Sequence, residues 1–511
     1  MAILKAVCFL CLAVAVVEAF DPYAPPDTTY KGEDEVTLKD VVFLIRSQST
    51  PWHLIKAQAT KADIEQQARI QKLGAAEVYL LHEQYNHIGY WTLLPLITRL
   101  HKDFGSYKWL FFCEEDSRVS ITGLLNVLSR YDSQKDWFLA RGLHDKSATI
   151  IHHFRFIEDT SKFKYPDFEA GWLFSQSLLK SLAARWESEE HKADFAIDVK
   201  HELAYYIWND GKGTSVTHIP EFCAGNVGLN LDFMEDDIIA EGISTSVNEE
   251  PQKCVTAHPS KLPMCGEPVS QDDVLFAVKT CEKFHKDRVP IVKKTWGQYA
   301  ANIIYVSDIE DSSIPTVASG VPNTERGHCG KSMAIFKMFR SDAKYAQHKW
   351  LMLTDDDTIL SVARVQKLLA CYDSNDAVVL GERYGYAHMA GYGYDYLTGG
   401  GGMVFSRAAV NKLLDSGCSC GKDEDPDDMI IGMCTKRYNI PVTHSPLFHQ
   451  ARPDDYSEGF LQHQTPVSFH KHWNNDPIQV YQDWFMKDDM QLFATKEQAD
   501  YTKEHDLKDE L

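Results

Sequence analysis

Lys349-Trp350-Leu351-Met352-Leu353-Thr354-Asp355-Asp356-Asp357 decides the reading of this chain. An apolar run stops at three aspartates, the pattern of a buried strand whose end carries carboxylates at a rigid edge. Ligands of open α/β sheets sit at such strand ends, and hard cations take carboxylate oxygens. Alternate side chains of a strand share a face, so Asp355 and Asp357 are expected to point together. The bland reading is an Asp-rich turn or a helix cap. The same stretch occurs a second time. Lys108-Trp109-Leu110-Phe111-Phe112-Cys113 runs into Glu114-Glu115-Asp116, and the two copies end at Tyr131-Asp132-Ser133 and Tyr372-Asp373-Ser374. Only one copy keeps its aspartates, which implies duplication followed by specialisation.

Other pairs extend the repeat in the same order. Asp40-Val41-Val42-Phe43-Leu44-Ile45-Arg46-Ser47 matches Asp273-Val274-Leu275-Phe276-Ala277-Val278-Lys279-Thr280. Gly171-Trp172-Leu173-Phe174-Ser175 matches Gly402-Met403-Val404-Phe405-Ser406, and Val216-Thr217-His218 matches Val442-Thr443-His444. The spacing is too long for a solenoid and suits two tandem domains. Strand-like segments (41–45, 109–112) alternate with helical ones (61–73, 177–187), which predicts α/β architecture with mostly parallel sheets. The expected organisation is a signal peptide over 1–19, a Pro- and acid-rich lead-in over 20–36 and a first domain over 37–223. An acidic connector over 224–270, a second domain over 271–486 and a charged, solvated tail over 487–511 follow.

The chain of 511 residues carries a net charge of −21, which excludes nucleic acid as its main partner. Lys5, the apolar run over 6–17 and Val17-Glu18-Ala19 read as a cleaved secretory signal, so membrane insertion is not expected. The last four residues, Lys508-Asp509-Glu510-Leu511, form the retention signal of the endoplasmic reticulum and imply its KDEL receptor as a partner. Ten cysteines lie beyond the signal, an even number in an oxidising compartment, which implies disulfides rather than zinc. No Asn-x-Ser/Thr sequon occurs, so no N-glycan is expected.

Three further stretches carry candidate chemistry. Asp425-Pro426-Asp427-Asp428 precedes an apolar helical run, so it opens a helix. A carboxylate held there is either a cap or a rigidly placed general base. Thr398-Gly399-Gly400-Gly401-Gly402 is expected to feed a helix and to let backbone approach a ligand closely. Arg326-Gly327-His328-Cys329-Gly330-Lys331 is no phosphate loop and reads equally as a turn or a pocket wall. His444, His449, His470 and His472 cluster late in the chain, and one of them is expected to join the aspartates on a metal.

With these residues in place, the second half resembles the Fringe-type β-1,3-glycosyltransferases of glycosyltransferase family 31. The resemblance rests on the run ending at Asp357, the glycine run, Pro426-Asp427-Asp428 with Gly432, and Ser445-Pro446-Leu447-Phe448-His449. It implies two tandem GT-A (Rossmann-like) glycosyltransferase domains, the first degenerate, and an inverting mechanism. It implies Mn²⁺ as cofactor, UDP-glucose as donor and O-fucosylated thrombospondin type 1 repeat proteins as acceptors. By the resemblance Asp357 is the main metal contact and Asp428 the base. Asp355 joins the metal, and Asp355, Asp356, Gly400, Gly401 and Asp427 line the donor and acceptor site. The family carries Phe-His-Ser-His with its second histidine on the metal. Here Phe448-His449-Gln450-Ala451 lacks it, and His470 of Ser468-Phe469-His470 is the substitute ligand.

A glycoside hydrolase also uses two carboxylates but needs no nucleotide. A lectin-like chaperone of the endoplasmic reticulum and a Fringe-like transferase with another UDP-sugar are further alternatives, and a metal-dependent phosphatase or nuclease is disfavoured because no clear second set of metal ligands occurs. The first repeat, with Glu114-Glu115-Asp116, Glu169-Ala170-Gly171 and Ile197-Asp198-Val199, is expected to be a non-catalytic partner that helps bind a protein acceptor.

Overall fold

The computed structural model describes residues 35–152, 157, 159–225, 254–259 and 262–492. The expected signal peptide, the retention signal, nearly all of the lead-in and the middle of the connector lie outside them.

Two mixed α/β sheets reproduce the repeat. In the first, the spatial order is Val216–His218, Phe138–Ala140, Trp172–Ser175, Trp109–Glu114, Val41–Arg46, Glu77–Leu80. In the second it is Val442–His444, Val379–Gly381, Met403–Ser406, Trp350–Asp355, Val274–Lys279, Ile303–Ser307, with Thr316–Ala318 added at the edge. Each sheet is parallel around its first strand and turns antiparallel at one strand, Trp172–Ser175 or Met403–Ser406. The register is the same in both: Arg46 faces Glu114 as Lys279 faces Asp355.

The central strands form because their side chains are apolar on both faces, as a sheet covered by helices on each side demands. Trp109, Phe111, Trp350 and Leu351 are fully buried within them. Burying each such side chain contributes about 1.5–3 kcal/mol. The helical reading of 61–73 and 177–187 corresponds to helices Pro51–Ile70 and Gln176–Ser188. Ser175 and Ser406 cap the helices that follow the antiparallel strands, each accepting a backbone N–H three residues on.

Three expectations are corrected. The glycine run feeds a strand, Met403–Ser406, and the helix Arg407–Asp415 starts only after it. Met403–Ser406 is sandwiched between two antiparallel neighbours, and that pairing overrides any helical tendency. The start of the charged tail is not solvated. Asp489 is fully buried and accepts from Ser361 Oγ at 2.7 Å and Ala363 N at 2.8 Å, capping the helix Val362–Leu369, while Asp488 binds Arg364. Finally, Thr256–Ala257 of the expected connector pairs with Arg118–Val119, and Cys254 is bonded to Cys223. This segment therefore packs into the first repeat.

Three further disulfides join Cys265 to Cys371, Cys329 to Cys420 and Cys418 to Cys434. Cys113 and Cys281 are buried free thiols, so eight of the ten expected cysteines pair. Among the described residues no helix is long and apolar enough to cross a membrane.

Candidate active site

Strand Trp350–Asp355 ends at the first aspartate, and Asp356-Asp357 form a turn into Thr358–Leu360. That short strand pairs antiparallel with Ser468–His470, with Thr358 opposite His470. The pairing places His470 beside the aspartates across 113 residues of sequence. One ligand atom each from Asp355, Asp357 and His470 lie within 4.8 Å of one another. His470 Nε2 is 3.1 Å from Asp357 Oδ1 and 3.9 Å from Asp355 Oδ2.

The other oxygen of each carboxylate is already engaged. Lys279 Nζ sits 3.0 Å from Asp355 Oδ1, and Arg288 Nη1 sits 3.0 Å from Asp357 Oδ2. Each carboxylate is thereby oriented by a cation on one side and turned toward His470 on the other. His470 Nδ1 lies 3.0 Å from the Gln450 carbonyl. A ring nitrogen donating to a carbonyl fixes the tautomer and leaves the other nitrogen free as a ligand. Two carboxylates and an imidazole converging in this way could hold a divalent cation. Burial works to raise Asp357, but its contacts with His470 and Arg288 outweigh it and hold the carboxyl well below its ordinary range.

Asp356 points elsewhere. It accepts from Thr280 Oγ1 and Arg288 Nη1, both at 2.8 Å, and burial pushes it up to about 6. It braces the turn. Gly400 lies against His470: a Cβ there would stand 2.3 Å from Nδ1. The Gly400 carbonyl accepts from Thr358 Oγ1 at 2.8 Å, and Gly401 N donates to Gln450 Oε1 at 3.0 Å. The glycine run thus clears space for the histidine and braces the loop that holds it.

Helix Asp427–Arg437 begins at the expected carboxylates. Asp427 is buried and accepts from Lys279 Nζ and Ser332 Oγ, both at 2.6 Å. Burial opposes its charge, and Lys279 outweighs that and keeps it ionised. Asp428 is half-buried and bonds Met429 N at 2.7 Å. Burial first, and the Asp427 charge second, push it up to about 7. Two adjacent carboxyls thus have opposite characters, one a fixed counter-ion and the other a proton acceptor near neutrality.

The other three late histidines do different things. His444 Nδ1 accepts from Arg383 N at 3.2 Å, and its backbone binds Gln48 of the first repeat. His449 pairs with Gln464 and carbonyls, and burial pushes it down to about 4. His472 is also lowered to about 4, by burial, and neither ring nitrogen has a partner among the described residues. The Arg326–Lys331 stretch forms the turn into helix Cys329–Ser341, which carries Ser332 to Asp427.

Lys279, Arg288 and Ser332 escaped the sequence reading. Lys279 had a signal: it closes the apolar run Val274–Lys279, as Arg46 closes the repeated run Val41–Arg46. Arg288 and Ser332 had none.

A Fringe-like family model matches residues 45–222 and 269–497. The chain is 47% identical to mouse β-1,3-glucosyltransferase over 481 residues, covering 94% of this chain and 92% of that protein. It is 48% identical to the human β-1,3-glucosyltransferase over 475 residues, covering 92% and 90%. Chicken β-1,3-N-acetylglucosaminyltransferase lunatic fringe is 28% identical over 205 residues, covering 36% of this chain and 56% of that one. With a match over both repeats and close likeness along nearly the full length, the chain belongs to the Fringe-like family, as a β-1,3-glycosyltransferase.

Proposed function

We propose that the protein transfers glucose from UDP-glucose, with inversion, in β-1,3 linkage to O-linked fucose on thrombospondin type 1 repeats. The observation that carries the chemistry is the separation of two carboxylate groups. Asp355 and Asp357 converge with His470, whereas Asp428 is no member of that cluster: it sits at a helix start, and burial pushes it up to about 7. The glucose donor is supported by the two relatives of similar length named as glucosyltransferases.

Asp355, Asp357 and His470 would hold Mn²⁺, which when bound neutralises charge that develops on a departing diphosphate. Asp428 takes the proton of the attacking hydroxyl. That oxygen bonds to C1 of the glucose on the face opposite UDP, and the C1–O bond breaks with its electron pair leaving on the diphosphate. The α donor becomes a β product. Lys279 and Arg288 keep the carboxylates oriented throughout.

The organisation proposed is a first, non-catalytic repeat over 37–223 that helps seat the protein acceptor and a catalytic second repeat over 271–486. Retention in the endoplasmic reticulum lumen is proposed from the signal over 1–19 and the terminal Lys508-Asp509-Glu510-Leu511, read by the KDEL receptor. The test is incubation of the purified protein with several UDP-sugars and an O-fucosylated thrombospondin repeat, followed by mass measurement. Addition of one hexose from UDP-glucose alone is expected. Transfer from another UDP-sugar in preference, or none, overturns the reading.

A further inference from the structure

The cleft of the first repeat was not emptied when its aspartates changed. Arg46 pairs with Glu114 at the register position of Lys279 and Asp355. His258 Nε2 lies 2.9 Å from Asp116, as His470 lies 3.1 Å from Asp357. The two histidines reach their places through equivalent strand pairs, Arg118–Val119 with Thr256–Ala257 and Thr358–Leu360 with Ser468–His470. Lys56 binds Glu115 and Asp116, each at 2.9 Å, much as Arg288 binds Asp356 and Asp357.

One change matters for what this cleft takes. Gly171 and Gly402 occupy equivalent positions, both with positive φ, so Glu169 stands where the second repeat has Gly400. Its carboxylate comes within 4.0 Å of His258 and accepts from Gln464 Nε2 at 2.8 Å. An acidic side chain thus stands near His258 where the second repeat has a glycine packed against His470. The cations of this cleft are thus already matched by Glu114, Glu115, Asp116 and Glu169, which leaves little unpaired positive charge for a diphosphate.

The cleft nevertheless encloses a cavity of about 390 Å³, walled on one side by the second repeat through Tyr372, Glu382 and Arg383. Its mouth lies beside Met264, which is 81% exposed. Trp52 and Tyr372 give it aromatic faces. Three lining groups have a buried atom without a hydrogen-bond partner among the described residues: Arg46 Nε, Glu115 Oε2 and Arg383 Nε. The Glu115 side chain is 8% exposed. Buried polar atoms are ordinarily satisfied, so three lining residues each with an unpartnered polar atom leave unused hydrogen-bonding capacity around one cavity. An aromatic wall with a few convergent polar groups, in a volume of this size, is a small-molecule site.

We propose that this cleft is a second carbohydrate site, taking a neutral sugar of one or two rings between the two repeats. The apolar face of a pyranose rests on Trp52, and its hydroxyls answer the carboxylates and arginines that line the cleft. The site needs no metal and does not depend on which donor the catalytic site uses. It rests on the proposed function only in the choice of sugars to test.

The experiment is saturation-transfer NMR on the full chain with glucose, methyl α-fucoside and the β-1,3-linked glucosyl-fucose disaccharide, each without and with saturating UDP and Mn²⁺. At least one sugar is expected to bind saturably in both conditions. Glu115→Gln and Trp52→Leu, each checked for an unchanged melting temperature, are expected to weaken that binding about tenfold. Absence of saturable binding by all three sugars overturns the proposal. So does binding that UDP and Mn²⁺ abolish, or binding that neither substitution alters. UDP–Mn²⁺ binding that survives Asp357→Ala and is lost on adding Glu115→Gln would assign the cleft to a nucleotide instead, and also overturns it. Failure of glucose transfer in the activity assay leaves this result untouched.

Discussion

Lys279 donates to Asp427 at 2.6 Å, tying the end of a central strand to the first turn of the helix that presents Asp428. The same ammonium lies 3.0 Å from Asp355, so one cation spaces the candidate metal carboxylate from the candidate base helix. Burial opposes the charge on Lys279, and the two aspartates more than restore it. Lys279→Met is expected to leave the buried Asp427 and the partly exposed Asp355 without their shared cation and to cost about 3 kcal/mol. Urea denaturation measures this, and a loss below ~1 kcal/mol would show that the contact is incidental.

Asp428→Asn is expected to lower kcat by about 10²–10⁴-fold while UDP affinity stays nearly unchanged. In the unmodified protein kcat/KM should rise with pH through about 7, because a base works only once deprotonated. Transfer at the unmodified rate, or a pH profile flat through neutrality, would remove Asp428 from the reaction.

Asp357→Ala is expected to abolish Mn²⁺ binding and weaken UDP binding with it. The loss should exceed the roughly 10–100-fold typical of removing a merely supporting contact. Calorimetry with Mn²⁺ and UDP reads both. Unchanged donor affinity would reduce the aspartate run to a turn.

Gly400→Ala is expected to push His470 aside, since the added Cβ meets Nδ1 at 2.3 Å. Gly399→Ala meets only Lys279 Nζ, at 3.8 Å, and should be tolerated. Mn²⁺ affinity should fall at least about tenfold in the first variant and little in the second. Equal effects would place the glycines in loop flexibility rather than in making room for the histidine.

His152 is buried between Asp145 at 2.6 Å and Asp198 at 3.2 Å. Burial works against its charge, but the two aspartates raise it to about 9. A histidine raised in the folded state stabilises fully below its unfolded value, about 6.5, and the contribution fades as pH rises through about 9. His152→Gln should therefore lower stability by on the order of 3 kcal/mol at pH 6, with the gap to the unmodified protein closing by pH 10. A gap independent of pH would mean that the ring matters by packing alone.

Much of this arrangement is legible in the residues. Apolar runs ending in acids, repeated in the same order, announce two sheets and mark where a cation would sit. Pro426 beside Asp427 announces the helix start. What cannot be read is register at long range. Lys279 and Asp427 are separated by 148 positions, and only the stacking of strand, turn and helix brings them together. The glycine run illustrates the same limit, because its continuation as a strand depends on two antiparallel neighbours. Asp489 looks like part of a charged tail, yet the exposed backbone amides of a helix start draw it inside. His470 was findable through its motif, whereas the kinship of His258 to it emerges only from the strand pairing.

Phe195–Ala196 of the first repeat adds a strand to the sheet of Arg383–Tyr386 and Tyr394–Leu397 in the second. Trp91 of the first repeat also donates to Asp395 there, at 2.8 Å. Once one duplicate lends backbone to its sibling, the fates of chemistry and architecture part. Drift in the first copy is constrained by that shared sheet, and gene fission would strip the second copy of an edge strand that the first supplies. The duplication is in that sense irreversible: two ancestral modules have become a single heritable unit.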